Sequence, residues 1–363
     1  MQSAAKHLAR ESNLIVNQAV ELAASEMLRC ALHDVLDGFF IACQKMPSYQ
    51  HLLLKQLFTA AAAPLARHRP SVNLLRVALE AGSLFQFVPW HVHLENFKID
   101  KTLEAEWLRP RHAPAGRVLL YLHGGGYVLG SLNTHRSLVG SLAERCQCAA
   151  LTINYRKAPD HPFPAALQDA RRAYRWLLRQ GHVPSSIILA GDSAGGGLAL
   201  ALLLSLRDAG QPLPAAAIGL SPWTDLVLPL TTLRRVAREE AQLLEALQIR
   251  HWGQAYARRT PLAHPLLSPS QADLHGLPPL LLQISDAEVL YDNVLGFAAK
   301  ARAAGVAVTV QEFAGLVHWW HLFWRFVPEA RQALDQVASF VAGVWPASTN
   351  RLLTTPAQEL TPN

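Results

Sequence analysis

The chain has 363 residues, half of them hydrophobic, and a formal net charge of +6. That is enough apolar material for a large core, and a chain of this size is expected to form one domain with a lid. Its basic residues are scattered in short clusters such as Arg234-Arg235 and Arg258-Arg259. No basic stripe interleaved with aromatics appears, which argues against a nucleic-acid partner; weak peripheral contact with anionic lipid is a minor alternative that a basic surface leaves open.

At the N-terminal end there is no 18-residue apolar run, and the first thirty residues include Glu11, Glu21 and Glu26. Neither a transmembrane helix nor an export signal is expected, so the reading is cytoplasmic. The four cysteines, Cys30, Cys43, Cys146 and Cys148, suggest no disulfide framework and fit a reduced compartment. The histidines show no ligand spacing beside them, so neither a metal nor any other cofactor is expected. Apolar residues at spacings of three and four, as in Leu14, Val16, Val20, Leu22 and Leu28, predict several helices between residues 13 and 90. Residues 1–90 are therefore expected to form a helical region that contributes to the lid.

The first core strand that stands out is Val118-Leu119-Leu120-Tyr121-Leu122, which runs directly into His123-Gly124-Gly125-Gly126-Tyr127. Three glycines in a row let backbone N–H groups point into a cavity, where they can stabilise the oxygen that becomes negative in a tetrahedral acyl intermediate. Such a loop can also cradle an anion; the absence of a following Lys-Ser/Thr excludes a phosphate-binding P-loop. Cys148 to Tyr155 predicts a second buried strand. Pro159, Pro162 and Pro164 then impose an extended loop before a helix near Ala165, and Arg156 and Asp160 within this stretch read as structural.

Next, Ile187-Ile188-Leu189-Ala190 leads into Gly191-Asp192-Ser193-Ala194-Gly195 and a Leu/Ala-rich helical stretch. Strand, sharp turn and helix make a nucleophile elbow, which lifts the Ser193 hydroxyl to where a base can reach its proton. The glycines two residues either side of the serine remove Cβ atoms that would clash in so tight a turn. The N–H of Ala194, immediately after the serine, supplies an oxyanion donor.

An insertion from Trp223 to His275 follows, with helical spacing over Arg234 to Tyr256, and residues 223–275 are expected to form the rest of the lid. Trp223, Trp252, Tyr256, Trp319 and Trp320 are candidates for lining an apolar pocket; ordinary packing is the plainer reading of each. The strand Leu280-Leu281-Leu282-Gln283-Ile284 ends in a loop holding Asp286, Glu288 and Asp292, any of which could orient an imidazole. The alternating strand Val308 to Phe313 empties into Ala314-Gly315-Leu316-Val317-His318. Among 16 histidines, His318 is the candidate base because it follows the last strand on a Gly-containing loop, while His321 reads as the first turn of the next helix. Each candidate thus sits beyond a strand's C-terminal end, where open α/β sheets place their sites. The core is expected to comprise residues 91–222 and 276–345, with strands alternating with helices around a mostly parallel sheet. Residues 346–363 are expected to be a flexible tail.

Together, His123-Gly124-Gly125-Gly126, the segment Asn154 to Ala166, Gly191 to Gly197, Ser221-Pro222-Trp223-Thr224-Asp225 and Gly315-Leu316-Val317-His318 resemble the hormone-sensitive-lipase family of α/β-hydrolases over about residues 95–345. The resemblance implies an α/β-hydrolase fold with a mostly parallel eight-stranded sheet, flanking helices and a helical lid. It implies Ser193 as nucleophile, His318 as base, and Gly125, Gly126 and Ala194 as oxyanion donors. The family's acid-x-Leu-x-Asp pattern falls on Glu288 to Asp292 and selects Glu288 as the third member; many members carry Asp there, which keeps Asp286 open. The implied activity is hydrolysis of short- to medium-chain acyl esters, with a small ester as the partner. A lactonase or amide deacetylase uses the same residues. A non-catalytic receptor is disfavoured by the presence of His318, and a structural protein dimerising through its N-terminal helices is the remaining alternative.

Overall fold

The computed structural model describes residues 47–57, 71–84, 86–228, 232, 235 and 240–345. The helices expected around Leu14 to Leu28, two cysteines (Cys30 and Cys43) and the tail at 346–363 lie outside these residues. The segments 49–57 and Val72–Ser83 (α1) are helical.

Eight strands form one sheet: β1 (Val92–Ile99), β2 (Leu103–Pro110), β3 (Val118–Leu122), β4 (Ala149–Ile153), β5 (Ile187–Asp192), β6 (Ala216–Leu220), β7 (Leu280–Ser285) and β8 (Val308–Phe313). Their order is β1-β2-β4-β3-β5-β6-β7-β8. The pairs β1–β2 and β2–β4 are antiparallel and the others parallel. The central strands read as unbroken apolar runs because both faces are covered, and every residue of β3, β5, β6 and β7 is buried.

Alternate residues of β3 separate the two layers. Val118, Leu120 and Leu122 face a core filled by α3 (Ala165–Arg179), α4 (Ser193–Asp208) and α6 (Tyr291–Ala303). Leu119 and Tyr121 face the core built by α2 (Leu132–Arg145) and α7 (Pro328–Val344). Burying one such side chain contributes about 1.5–3 kcal/mol. Helix α5 (Glu240–Ala257) belongs to the insertion between β6 and β7 and packs Ala246 and Ile249 against the first core.

This topology fixes where a site can form. After β3 the chain moves to β4 on one side, then crosses to β5 on the other, so a crevice opens beyond the C-terminal ends of β3 and β5. The loops after β3, β5, β7 and β8 all emerge at this edge, and they carry the glycine run, Ser193, Glu288 and His318.

Candidate active site

Ser193 lies at the junction of β5 and α4 with φ +49°, a left-handed conformation that costs a non-glycine residue about 1–2 kcal/mol. The surrounding packing holds it there. A Cβ on Gly195 would fall 2.0 Å from the carbonyl oxygen of Leu122, and one on Gly191 would fall 2.5 Å from the backbone of Gly195. Only bare backbone lets the elbow fold against the end of β3. The N–H of Trp223 donates to the Ser193 carbonyl at 2.8 Å and ties the elbow to the loop after β6.

The Ser193 hydroxyl lies 2.8 Å from Nε2 of His318, and Nδ1 of His318 lies 2.6 Å from Oε2 of Glu288. With the carboxylate accepting from Nδ1–H, Nε2 is the ring nitrogen left to accept from the hydroxyl. His318 and Glu288 are both buried. The other carboxylate oxygen, Oε1, accepts from the Ser221 hydroxyl at 2.7 Å, the Ser285 N–H at 3.0 Å and the Trp320 indole N–H at 3.2 Å. A buried carboxylate is tolerable only when its lone pairs are satisfied, and these donors meet that demand.

The glycine loop after β3 is anchored from below by Asp192, the residue before Ser193. Its Oδ1 accepts from the Gly124 N–H at 2.9 Å and from the Tyr121 hydroxyl at 2.8 Å, and His135 Nε2 lies 3.2 Å from Oδ2. Burial pushes the Asp192 carboxyl up, but the charge and hydrogen bond of His135, with the Tyr121 hydroxyl, outweigh it and leave it at about 2. Helix α2 presents His135 from its first turn, where Ser131 and Thr134 cap each other's backbone N–H groups. Above this anchor, Gly125 and Gly126 adopt φ +113° and +62°. The Gly125 carbonyl turns back to accept from the N–H groups of Val128 and Leu129. Ala194 lies in the first turn of α4, where backbone N–H groups lack intrahelical acceptors.

Residues 119–322 match the family profile described as alpha/beta hydrolase fold. The chain belongs to this family. This hydrolase is 47% identical over 238 residues to an acetyl-hydrolase of Streptomyces hygroscopicus, which spans 65% of this chain and 79% of that one. It is 39% identical over 235 residues to an esterase of Acinetobacter venetianus, covering 64% and 77% of the two chains. Among solved structures, it resembles EstE5 soaked with p-nitrophenyl butyrate, at 42% identity and a TM-score of 0.72 over 77% of this chain and 92% of that one. It also resembles a hormone-sensitive lipase from a metagenome library, at 31% identity and a TM-score of 0.73 over 79% and 98%.

The hydrolase sends the competing candidates elsewhere. Asp286 is exposed and accepts from the Gly315 N–H at 2.7 Å, bracing the loop that leads to His318. Asp292 pairs with Thr232 and Arg235 of the insertion. His321 lies 3.0 Å from the amide oxygen of Gln283 and stacks under Trp320 at 3.7 Å; burial lowers its pKa to about 3 and keeps it neutral. Arg156 is held by buried Asp169, and Asp160 by Arg76.

Of the five aromatic candidates for pocket lining, Trp223, Tyr256 and Trp320 are fully buried, so they pack rather than line. Tyr256 stacks on Tyr127 at 3.8 Å. Trp252 and Trp319 remain accessible, and the Trp252 ring packs so closely on Gly126 that a Cβ there would come within 2.3 Å of it. The sequence reading missed Asp192, Tyr121 and His135 as the anchor of the loop, and Ser221 and Trp320 as donors to Glu288. Asp192 and Ser221 were visible inside motifs already singled out, but their partners are distant in sequence.

Proposed function

We propose that this α/β-hydrolase is a serine carboxylesterase acting on small acyl esters, with Ser193 as nucleophile, His318 as general base and acid, and Glu288 as the group that orients the imidazole. Nε2 of His318 takes the hydroxyl proton as Ser193 Oγ attacks the ester carbonyl. The N–H groups of Gly125, Gly126 and Ala194 stabilise the resulting oxyanion, each contributing about 3 kcal/mol in the transition state. The imidazolium then returns its proton to the departing alcohol. Water attacks the acyl-enzyme by the same sequence, His318 taking its proton, and the acid leaves as Ser193 is restored.

The observation that carries this reading is the unbroken path from Ser193 through His318 to Glu288, with contacts of 2.8 and 2.6 Å. Relatives named acetyl-hydrolase and esterase support the substrate class, and short to medium acyl chains are the proposed range. The insertion at 223–275, with the N-terminal region, is proposed as the lid over this site. Arg235 of the insertion donates to the Glu288 carbonyl at 2.9 Å, which favours that arrangement.

The test is turnover of p-nitrophenyl acetate. Ser193→Ala and His318→Ala are each expected to lower kcat by about 10⁴-fold or more. Comparable activity in Ser193→Ala would end this reading.

A further inference from the structure

The loop that carries His318 is not held by the α/β core alone. A short segment far upstream in sequence, outside the region that matches the family, lies directly against it. The Pro47 ring packs on Gly315, whose φ of +71° turns the chain, and a Cβ there would come within 3.0 Å of Cγ and Cδ of Pro47. Ser48 donates its backbone N–H and its hydroxyl to the Glu329 carboxylate at the start of α7, the hydroxyl at 2.8 Å. Leu54 packs against the buried cluster that contains Leu316, Trp320 and Val327. Between these anchors His51 is completely buried, and its Nε2 accepts from the backbone N–H of Val317 at 3.2 Å.

We propose that His51 is a positioning residue for His318: by accepting the Val317 N–H, it fixes the backbone immediately before the base and so sets the reach of the imidazole toward Ser193. The acceptor is available because burial lowers the His51 pKa, against the charge of Glu329, which raises it, and the neutral ring keeps a lone pair on Nε2. A buried backbone N–H left without an acceptor is unfavourable, so loss of the imidazole lets the peptide turn toward another partner. The base is one residue away, and small displacements of a catalytic group are expensive in rate. This inference gives the segment 47–57 a role in catalysis, and it rests on the proposed role of His318.

The test uses the full chain and p-nitrophenyl acetate, with three substitutions compared. His51→Leu keeps bulk but removes the acceptor; His51→Gln places an amide oxygen near the position of Nε2; His51→Asn places it near Nδ1. The expected result is a fall in kcat of about five- to tenfold for His51→Leu, with KM within about twofold, and recovery of most of that loss in His51→Gln but not in His51→Asn. A kcat within twofold of the parent in His51→Leu, or a change confined to KM, overturns the proposal. If His51→Leu does not fold, the other two variants decide: Gln faster than Asn supports it, and equal rates overturn it. His318→Ala is assayed alongside. Its inactivity with an unaltered His51→Leu would remove only the role of His51, whereas an active His318→Ala would remove the assignment of the base itself.

Discussion

The indole N–H of Trp320 donates to Oε1 of Glu288, the carboxylate oxygen that His318 does not use. Trp320 follows His318 by only two residues, so one short loop supplies both the imidazole that meets the carboxylate and a donor that restrains it. Without that donor the carboxylate keeps the Ser221 hydroxyl and Ser285 N–H, but its negative charge becomes less dispersed and its orientation less fixed. Trp320→Phe removes the N–H while leaving an aromatic ring in the site between Phe313 and His321. It is expected to lower kcat about tenfold with little change in KM. A kcat within twofold of the parent would show that the indole N–H has no part in holding the Glu288 carboxylate.

Asp192 offers a test by pH. Its carboxyl is held at about 2, below the ordinary value for aspartate. A group whose pKa is depressed in the folded state adds stability above its unfolded pKa and loses it as pH falls toward the folded one. The contribution is therefore constant above about pH 5 and fades between about pH 4 and pH 2. Denaturant midpoints of the parent should fall more steeply through that window than those of Asp192→Asn. In the same variant the Gly124 N–H and His135 lose their charged partner, and kcat is expected to drop at least tenfold as the glycine loop loosens. Parallel pH curves for the two proteins would contradict the account of this anchor.

The elbow should tolerate no side chain at Gly195. A methyl group there meets the Leu122 carbonyl oxygen at 2.0 Å and the His123 carbonyl oxygen at 2.5 Å, both of them backbone atoms. Gly195→Ala is expected to cost about 3 kcal/mol or more, visible as a large fall in melting temperature or as insoluble protein. A melting temperature within a degree or two of the parent would mean that the elbow is looser than described.

Trp252 bears on substrate choice. Its ring covers Gly126 from the insertion side, beside the proposed oxyanion donors. Trp252→Ala is expected to open space there and to shift the ratio of kcat/KM for p-nitrophenyl octanoate over acetate upward by about tenfold, the scale of one or two methylenes in an apolar pocket. A series of p-nitrophenyl esters from two to sixteen carbons measures the profile before and after, and no change in the ratio would place the acyl group elsewhere.

The sequence disclosed what is local. Ser193, the glycine loop and His318 each stand at the end of a strongly apolar strand, and a strand followed by a loop needs no partner to be recognised. The proposed partner of His318 was harder to single out, because Asp286, Glu288 and Asp292 share one loop and only three-dimensional contact or family resemblance separates them. The antiparallel strands β1 and β2 were included only as part of the core from residue 91. Their sequences mix Glu95, Lys98, Glu104 and Arg109 with apolar residues, and buried Glu106 is legible only once Arg136 of α2 is seen beside it. His51 and Val317 are separated by 266 residues, and no periodicity encodes a contact of that range. For Trp320 the sequence offers pocket lining or plain packing, because an aromatic residue declares its bulk, whereas its indole N–H finds a use only when a carboxylate is brought to it.

The most direct measurement is covalent labelling of the intact protein with a fluorophosphonate, read by mass and peptide mapping. A hydroxyl activated by an adjacent imidazole should take up one equivalent on Ser193, with labelling nearly lost in His318→Ala. A modified site other than Ser193, or equal labelling in the absence of the His318 imidazole, would contradict the coupling of these two residues on which the proposed chemistry depends.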